Sequence, residues 1–494
     1  MPDSRVLMKL TLLLLLTTLV CQGQSDTTRS TQYSLETGGM LSTDGLTPFW
    51  FRTNQLGVVP LTGSFGFVRA GIHGQIGKAT NKRWQYTYGL NAVANAGQST
   101  KVLFPEAYFR ADHGLLRIQA GRWQQVLGVA DTLLSSGTYI WSGNALPLPR
   151  VQVGTSGFAP VGFTRGWLAI NANIAHGWFG NTGKVEGSYL HQKAIYFRVG
   201  KPGGSVKLIG GITHVVQWGG QSSAKFIGKD GKLPSSLTDF VYVFAAVSPP
   251  QSLSGQISTH DLSNRYGNHL GSVDFAMDWS LPAASLLVYV QRPYDDDTGV
   301  LFMNLPDGLY GVCWQNRATG RQRGFRLDRL TTEFLTTLNQ SGFRLGGGHF
   351  QGADDYFNNF QYVDGWIYKD RVIGTPFFTR RTDARADHQD LLGLSKTKLP
   401  IVSNRTQVIH AGLQGGWPSG VRVRMLLSQS WNYGRPEQLG PIIAYPQFSG
   451  MVEFTVPTPW LNGLDLRVGV AADRGQWLNN STGGWLSLRK TGFF

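Results

Sequence analysis

Over residues 421–432 the apolar side chains Val421, Val423, Met425, Leu427 and Trp431 alternate with Arg422, Arg424, Ser428, Ser430 and Asn432. Over 464–473, Leu464, Leu466, Val468, Val470 and Ala472 alternate in the same way with Asp465, Arg467 and Asp473. Successive side chains of a strand point to opposite faces, so each segment predicts a strand with one apolar and one polar face. A soluble sandwich shows that alternation too. Here, however, the polar faces carry both signs of charge in mid-strand, Trp431 stands at a strand end and the chain stops on Phe494. A lipid band, an interfacial aromatic girdle and a polar lumen place such residues in a transmembrane barrel.

The pattern returns upstream. In Leu270 to Ser280, Val273, Phe275, Met277 and Trp279 oppose Ser272, Asp274, Asp278 and Ser280. In Gln192 to Val199, Ile195, Phe197 and Val199 oppose Gln192, Tyr196 and Arg198. Ser205 to Trp218 is weaker, because His214 falls on the face of Val206, Leu208, Ile212 and Val216.

Bacterial barrels keep periplasmic turns short and extracellular loops long. Counting back from Phe494, the short connections 457–463, 416–420, 317–324, 281–283 and 201–204 all fall on one side, and the long ones, 219–267, 346–405 and 433–450, on the other. The short turns 111–114 and 77–82 join the periplasmic set only if 124–162 crosses the barrel once. That stretch contains Ser142-Gly143-Asn144-Ala145-Leu146-Pro147-Leu148-Pro149 and is a poor strand by its prolines. It is expected to hold one irregular strand or to thread the lumen as a plug. With a first strand near Tyr33 to Leu41, the count is about eighteen strands. The expected fold class is therefore all-β, a transmembrane antiparallel barrel.

At the N-terminus, Arg5 and Lys9 precede an apolar run from Leu10 to Val20, and Cys21 and Gly23 take the small-residue positions of a cleavage site. This predicts a secretory signal over 1–23, the barrel over 24–494 and delivery to the outer membrane. Cys313 would then be the one remaining cysteine, which leaves no intramolecular disulfide. A chain of 63 Gly, 15 Trp, 17 Tyr and 27 Phe suits strands, turns and girdles, and its formal charge of +15 would attract an anionic polymer or lipid phosphate.

Catalytic and phosphate-binding signatures are absent from the sequence, and no cofactor or metal is expected. Glu106 and Glu186 are lone carboxylates, and His260, Asp261 and His269 lack a compact metal spacing. The long loops carry the candidate chemistry. Tyr294, Asp295, Asp296 and Asp297 open one, and Asp354, Asp355 and Tyr356, followed by Trp366 and Arg371, fill the largest. Carboxylates beside flat aromatics suit sugars, whose hydroxyls need hydrogen-bond partners and whose C–H faces stack on rings. The competing readings are a loop core built on Tyr356 and Trp366, and a calcium ion on the triple Asp.

The run Gly187 to Ala194, with Gly210-Gly211 and His214 to Gly220, resembles the capsule-assembly Wzi family. So do Ser142 to Pro149, Asn268 to Asp274, Asp307 to Gly311, Asp355 to Asn359 and Ile373 to Pro376. The resemblance implies an eighteen-stranded outer-membrane barrel acting as a surface lectin for capsular polysaccharide. A periplasmic helical bundle of the better-studied branch has no amphipathic counterpart in this sequence. Expected partners are surface polysaccharide and outer-membrane lipid, not nucleic acid, and the protein is expected to be a monomer. The alternative is a porin or transporter for small solutes.

Overall fold

The computed structural model describes residues 31–494, apart from 77–83, 99, 182, 226, 254–261, 263–264, 319, 321–322, 343–353, 390–398, 436–442 and 462. The segment read as a signal lies outside the described residues.

Eighteen antiparallel strands form a closed barrel: β1 (Thr31–Ser42), β2 (Phe65–Ile76), β3 (Gln85–Ala96), β4 (Lys101–His113), β5 (Leu116–Arg122), β6 (Arg150–Thr155), β7 (Leu168–Gly180), β8 (Ser188–Val199), β9 (Val206–Trp218), β10 (Asn268–Ser280), β11 (Ala284–Tyr294), β12 (Gly308–Asn316), β13 (Arg326–Thr336), β14 (Thr406–Gly416), β15 (Arg422–Asn432), β16 (Tyr445–Thr458), β17 (Leu464–Gly475) and β18 (Ser481–Phe493). A two-residue piece, Ala159–Pro160, extends the wall beside β7. Closure comes from β1 pairing with β18, from Gln32 opposite Phe493 to Ser42 opposite Gly483. The short turns share an end with both termini of the barrel, as the parity of the sequence predicts, and the long loops lie at the other end. By the rule for bacterial barrels that other end faces the cell exterior.

The alternation in the sequence settles on the faces expected of it. Val151, Ile174, Phe197, Leu208, Phe275, Val312, Ile409, Val470 and Leu486 point outward and are exposed, forming the lipid band. Trp84, Trp167, Trp279, Trp417 and Trp460 stand exposed at the turn end, where Phe494 packs on Tyr33 with ring centroids 4.9 Å apart. Interfacial aromatics of this kind mark a bilayer boundary.

An eighteen-stranded barrel is too wide for its wall side chains alone to fill. Here three loop-end segments fold into it. Residues 47–61 contain a short helix, α1 (Phe49–Arg52), residues 123–149 run irregularly before β6, and residues 354–388 come from the loop between β13 and β14. One apolar core joins Trp50 and Phe51, Leu134, Tyr139 and Trp141, and Tyr356, Phe357, Trp366 and Phe378 to wall residues such as Met40, Leu190, Tyr289, Leu335, Val408 and Met451. The segment 124–162 therefore contains both a lumen-filling stretch and the strand β6.

Polar wall residues fix this filling in register. Glu333 Oε2 accepts from Ser136 N at 2.6 Å and Oε1 from Ser135 Oγ at 2.7 Å. Asp131 is ion-paired with Arg329 and accepts from Thr331 Oγ1 at 2.7 Å. Gln291 accepts from Tyr139 N at 2.8 Å and donates to Val129 O at 3.1 Å, while His410 Nε2 donates to Leu134 O at 2.7 Å. Glycine allows two close approaches: a Cβ on the wall residue Gly412 would stand 2.7 Å from Leu134 Cβ, and one on Gly374 would stand 2.1 Å from Tyr139 O, where two segments of the filling meet.

Two outcomes follow. Trp366→Ala, which empties a fully buried site, is expected to cost about 3–5 kcal/mol and to raise amide exchange in 123–149 while leaving the strands protected. Asp131→Ala/Glu333→Ala, which removes the two carboxylate anchors, is expected to give intermittent single-channel openings in a planar bilayer where the unaltered protein stays silent.

Candidate functional site at the extracellular mouth

The nine residues singled out in the loops divide into three groups. Trp366 and Arg371 lie deep in the lumen. The indole Nε1 of Trp366 donates to Ile140 O at 2.9 Å, and Arg371 Nη2 donates to Val59 O at 2.5 Å. Both side chains are buried, and so is Tyr356, whose hydroxyl donates to Asp307 Oδ2 at 3.1 Å and accepts from Asn304 Nδ2 at 2.9 Å. These three cannot touch an external glycan without unpacking the core. Their apolar area serves the lumen filling, which is the loop-core reading of the same sequence.

Asp295, Asp296, Asp354 and Asp355 gather at the mouth, between the loops 295–307 and 354–365. Asp355 is a clamp. It takes Arg435 Nε at 3.1 Å and Nη2 at 2.5 Å on Oδ2, and Asn404 Nδ2 and Asn358 Nδ2 on Oδ1. Asp296 accepts from Thr298 N at 2.8 Å as the N-cap of a short helix, α2 (Asp297–Val300). Asp354 Oδ2 accepts from Ser341 Oγ at 2.8 Å. Burial, reinforced by the neighbouring carboxylate of Asp296, pushes Asp354 up to about 7, and burial pushes Asp307 up to about 6. Asp295 is raised well above the ordinary carboxylate range, by burial first and then by Asp354 and Asp296.

Tyr294 and Asp297 turn to the outer wall. Tyr294 donates its hydroxyl to Thr213 O at 2.8 Å, and Asp297 meets Arg265 Nη2 at 2.7 Å. The three consecutive aspartates thus point to different partners rather than converging as one ligand set, and among the described residues no three metal-ligating side chains gather into a site. His260 and Asp261 lie outside the described residues. Glu106 faces the lumen 3.2 Å from His73 Nε2, and Glu186 sits on a two-residue ladder with Gln221 in the loops.

Residues that the sequence reading left in the background remain accessible at the mouth. Phe360 is 56% exposed, and Leu301, Met303 and Leu305 are exposed in the loop after β11. Asn359 orders the Phe360 turn: its Oδ1 accepts from Gln361 N at 2.9 Å and Tyr362 N at 3.0 Å. The available signal was the aromatic flanked by amides, Asn358-Asn359-Phe360-Gln361, which suits a ring presented on a hydrogen-bonded turn. Below the lumen filling a polar cavity of about 530 Å³ opens among Glu106, Tyr108, Arg110, Arg117, Gln119 and Gln152. It lies on the turn side, away from the mouth.

The raised carboxylates give a pH dependence with a definite sign. A folded-state pKa above the unfolded value stabilises the folded loops below it, and that stabilisation is lost as pH rises through the folded value. Amide exchange in 295–307 and 354–358, corrected for intrinsic rates, is therefore expected to quicken between about pH 4 and 7, from the unfolded carboxylate value to the folded one. Asp354→Asn should flatten the dependence.

No protein-family model matches the chain, and no curated protein sequence does. Solved structures do. Wzi of Escherichia coli, an outer-membrane protein involved in group 1 capsule assembly and described as a carbohydrate-binding β-barrel, superposes over 94% of this chain and 85% of its own, with a TM-score of 0.57 at 13% identity. OccAB4 of Acinetobacter baumannii matches over 95% and 99% with a TM-score of 0.46 at 9% identity, and OccD3 of Pseudomonas aeruginosa over 94% and 91% with 0.45 at 8%. At these identities the likeness to Wzi concerns the fold, and with it the protein is an outer-membrane β-barrel of eighteen strands.

Proposed function

We propose that this barrel binds and organises surface polysaccharide, capsular where the cell makes a capsule, through its extracellular loops, as a binding protein and not a catalyst. The observation that carries the proposal is the single apolar core spanning the lumen from β1 to β18, which replaces the water column that a solute channel needs. With the lumen filled, the accessible chemistry is at the mouth. There Phe360 offers a face for stacking and the neighbouring amides and carboxylates offer hydrogen bonds. Each contact is weak, and a repeating polymer multiplies it by rebinding. The carbohydrate-binding character described for the E. coli barrel supports the ligand class, as does the basic surplus of the chain for an acidic polymer.

Binding of the detergent-folded protein to a panel of acidic and neutral bacterial surface polysaccharides tests this. Phe360→Ala, at an exposed position that leaves the core intact, is expected to weaken affinity about fivefold, the equivalent of ~1 kcal/mol. No binding across the panel, together with steady single-channel conductance, would overturn the proposal in favour of a porin.

A further inference from the structure

One sector of the outer wall breaks the lipid band. On β7 to β10 the outward rows nearest the loop end carry His176, His191, Lys193, His214 and His269. A strand face of that composition cannot face hydrocarbon bare. It does not. Described residues of the loop after β9 fold back over the wall, and their helix, α3 (Leu237–Ala245), lies on this patch. A capping box starts the helix: Ser236 N donates to Asp239 Oδ2 at 2.7 Å, and Asp239 N donates to Ser236 Oγ at 3.2 Å.

The wall side of the helix is packed. Val243 is fully buried with Val216, Trp218 and Tyr266, and the Phe240 ring lies 5.4 Å from His191 and 5.5 Å from Trp218. His269 Nε2 donates to Tyr266 O at 2.8 Å, and His214 Nε2 then donates to His269 Nδ1 at 2.9 Å, tying the end of the loop to the wall.

The other side of the helix is apolar as well. Leu237, Val241 and Phe244 are 82%, 59% and 42% exposed. Their spacing of four and three residues places them on one stripe of the helix. A helix in water with both faces apolar is unfavourable; a helix between a barrel wall and lipid is not. Below it a trough of about 840 Å³ runs down the wall between exposed Leu116, Val153, Ile174 and Ile195, continuous with the lipid band.

The roof of the trough carries charge. Lys193 Nζ donates to Phe244 O at the C-terminal end of the helix at 2.5 Å and sits 5.2 Å from the Phe244 ring. Arg265 donates to Ala246 O at 2.6 Å and pairs with Asp297. Asp296 is taken up as the cap of α2, and Asp295 accepts from Phe357 N. Among the described residues no carboxylate lies within ion-pair distance of Lys193.

We infer that α3 lies in the plane of the outer leaflet and that the trough beneath it seats a lipid with a phosphate headgroup, its acyl chains against the wall and its phosphate on Lys193 and Arg265. This site opens on the outer wall, with Asp295 and Asp296 on its border with the mouth, and stands whether or not the glycan-binding reading holds. A filled lumen concerns the inside of the barrel; this concerns the outside.

The test has two readouts. Spin labels on Leu237→Cys and Val241→Cys, in a Cys313→Ser background reconstituted in lipid bilayers, are expected to be more accessible to oxygen than to a water-soluble nickel complex. Native mass spectrometry of the unaltered protein is expected to show preferential retention of a bisphosphorylated acylated glucosamine lipid over its dephosphorylated form. Lys193→Gln should cut that preference about fivefold, as ~1 kcal/mol per basic side chain at a membrane surface implies. Labels reached by nickel would overturn the placement of the helix, as would labels shielded from both probes by a second copy or another protein. Equal retention of the two lipids by the unaltered protein would overturn the phosphate site even if the variant failed to fold, and so would equal competition by free inorganic phosphate.

Discussion

Pairing of β1 with β18 leaves the sheet no open edge, and in hydrocarbon an open edge would strand a row of N–H and C=O groups without partners. The eighteen strands that close this sheet enclose more space than their own side chains can fill. That space must hold water or protein. In this chain it holds protein, and the design of the wall follows from that choice.

The lumen filling is mostly irregular backbone, which satisfies few of its own hydrogen bonds. Buried backbone polar groups without partners are costly, so the wall has to supply them. It does so with the inward positions that read as polar in the sequence. Gln291, Glu333, His410 and Arg424 each bond to main-chain atoms of 123–149, and Asp473 accepts from Phe49 N at 2.8 Å. A carboxylate such as Glu333 in the lumen accepts from the main chain and a hydroxyl of the filling. It replaces the helix or strand partner that the plug backbone lacks.

This explains which parts of the architecture were legible in the sequence. Period-two alternation at 421–432, 464–473 and 270–280 reflects lipid on one side and polar lumen on the other, and the structure keeps every one of those faces. Short turns and long loops sorted by parity because a barrel has two unlike ends. The site was harder. Aromatics and carboxylates in 354–371 suit a sugar-binding loop and a packed loop core equally, and only burial distinguishes Trp366 from Phe360. The helix α3 escaped notice because Leu237 to Ala245 is rich in β-branched and aromatic residues; Ser236 and Asp239, three apart, were its one local sign. The filling segment 47–61 gave no periodic signal at all.

His214 was the flaw in an otherwise clean strand, and it turns out to carry information. Toward the loop end, β8 to β10 carry polar side chains on both faces: Gln192, Thr213 and Asp274 point in, while His191, Lys193, His214 and His269 point out. Wall positions of that kind cannot border lipid unaided, so they require a cover that packs rings on the histidines, offers main-chain carbonyls to Lys193 and His269, and is apolar toward the bilayer. Described residues of the loop after β9, with the helix α3, supply that cover. Likewise, most of 354–388 serves the lumen. The hydrophobic side chains exposed at the loop end include Phe360 and, after β11, Leu301, Met303 and Leu305. A polymer held there would meet a small, rigid surface fixed from below by the lumen core, so its affinity would come from repeated engagement along the chain and not from enclosure.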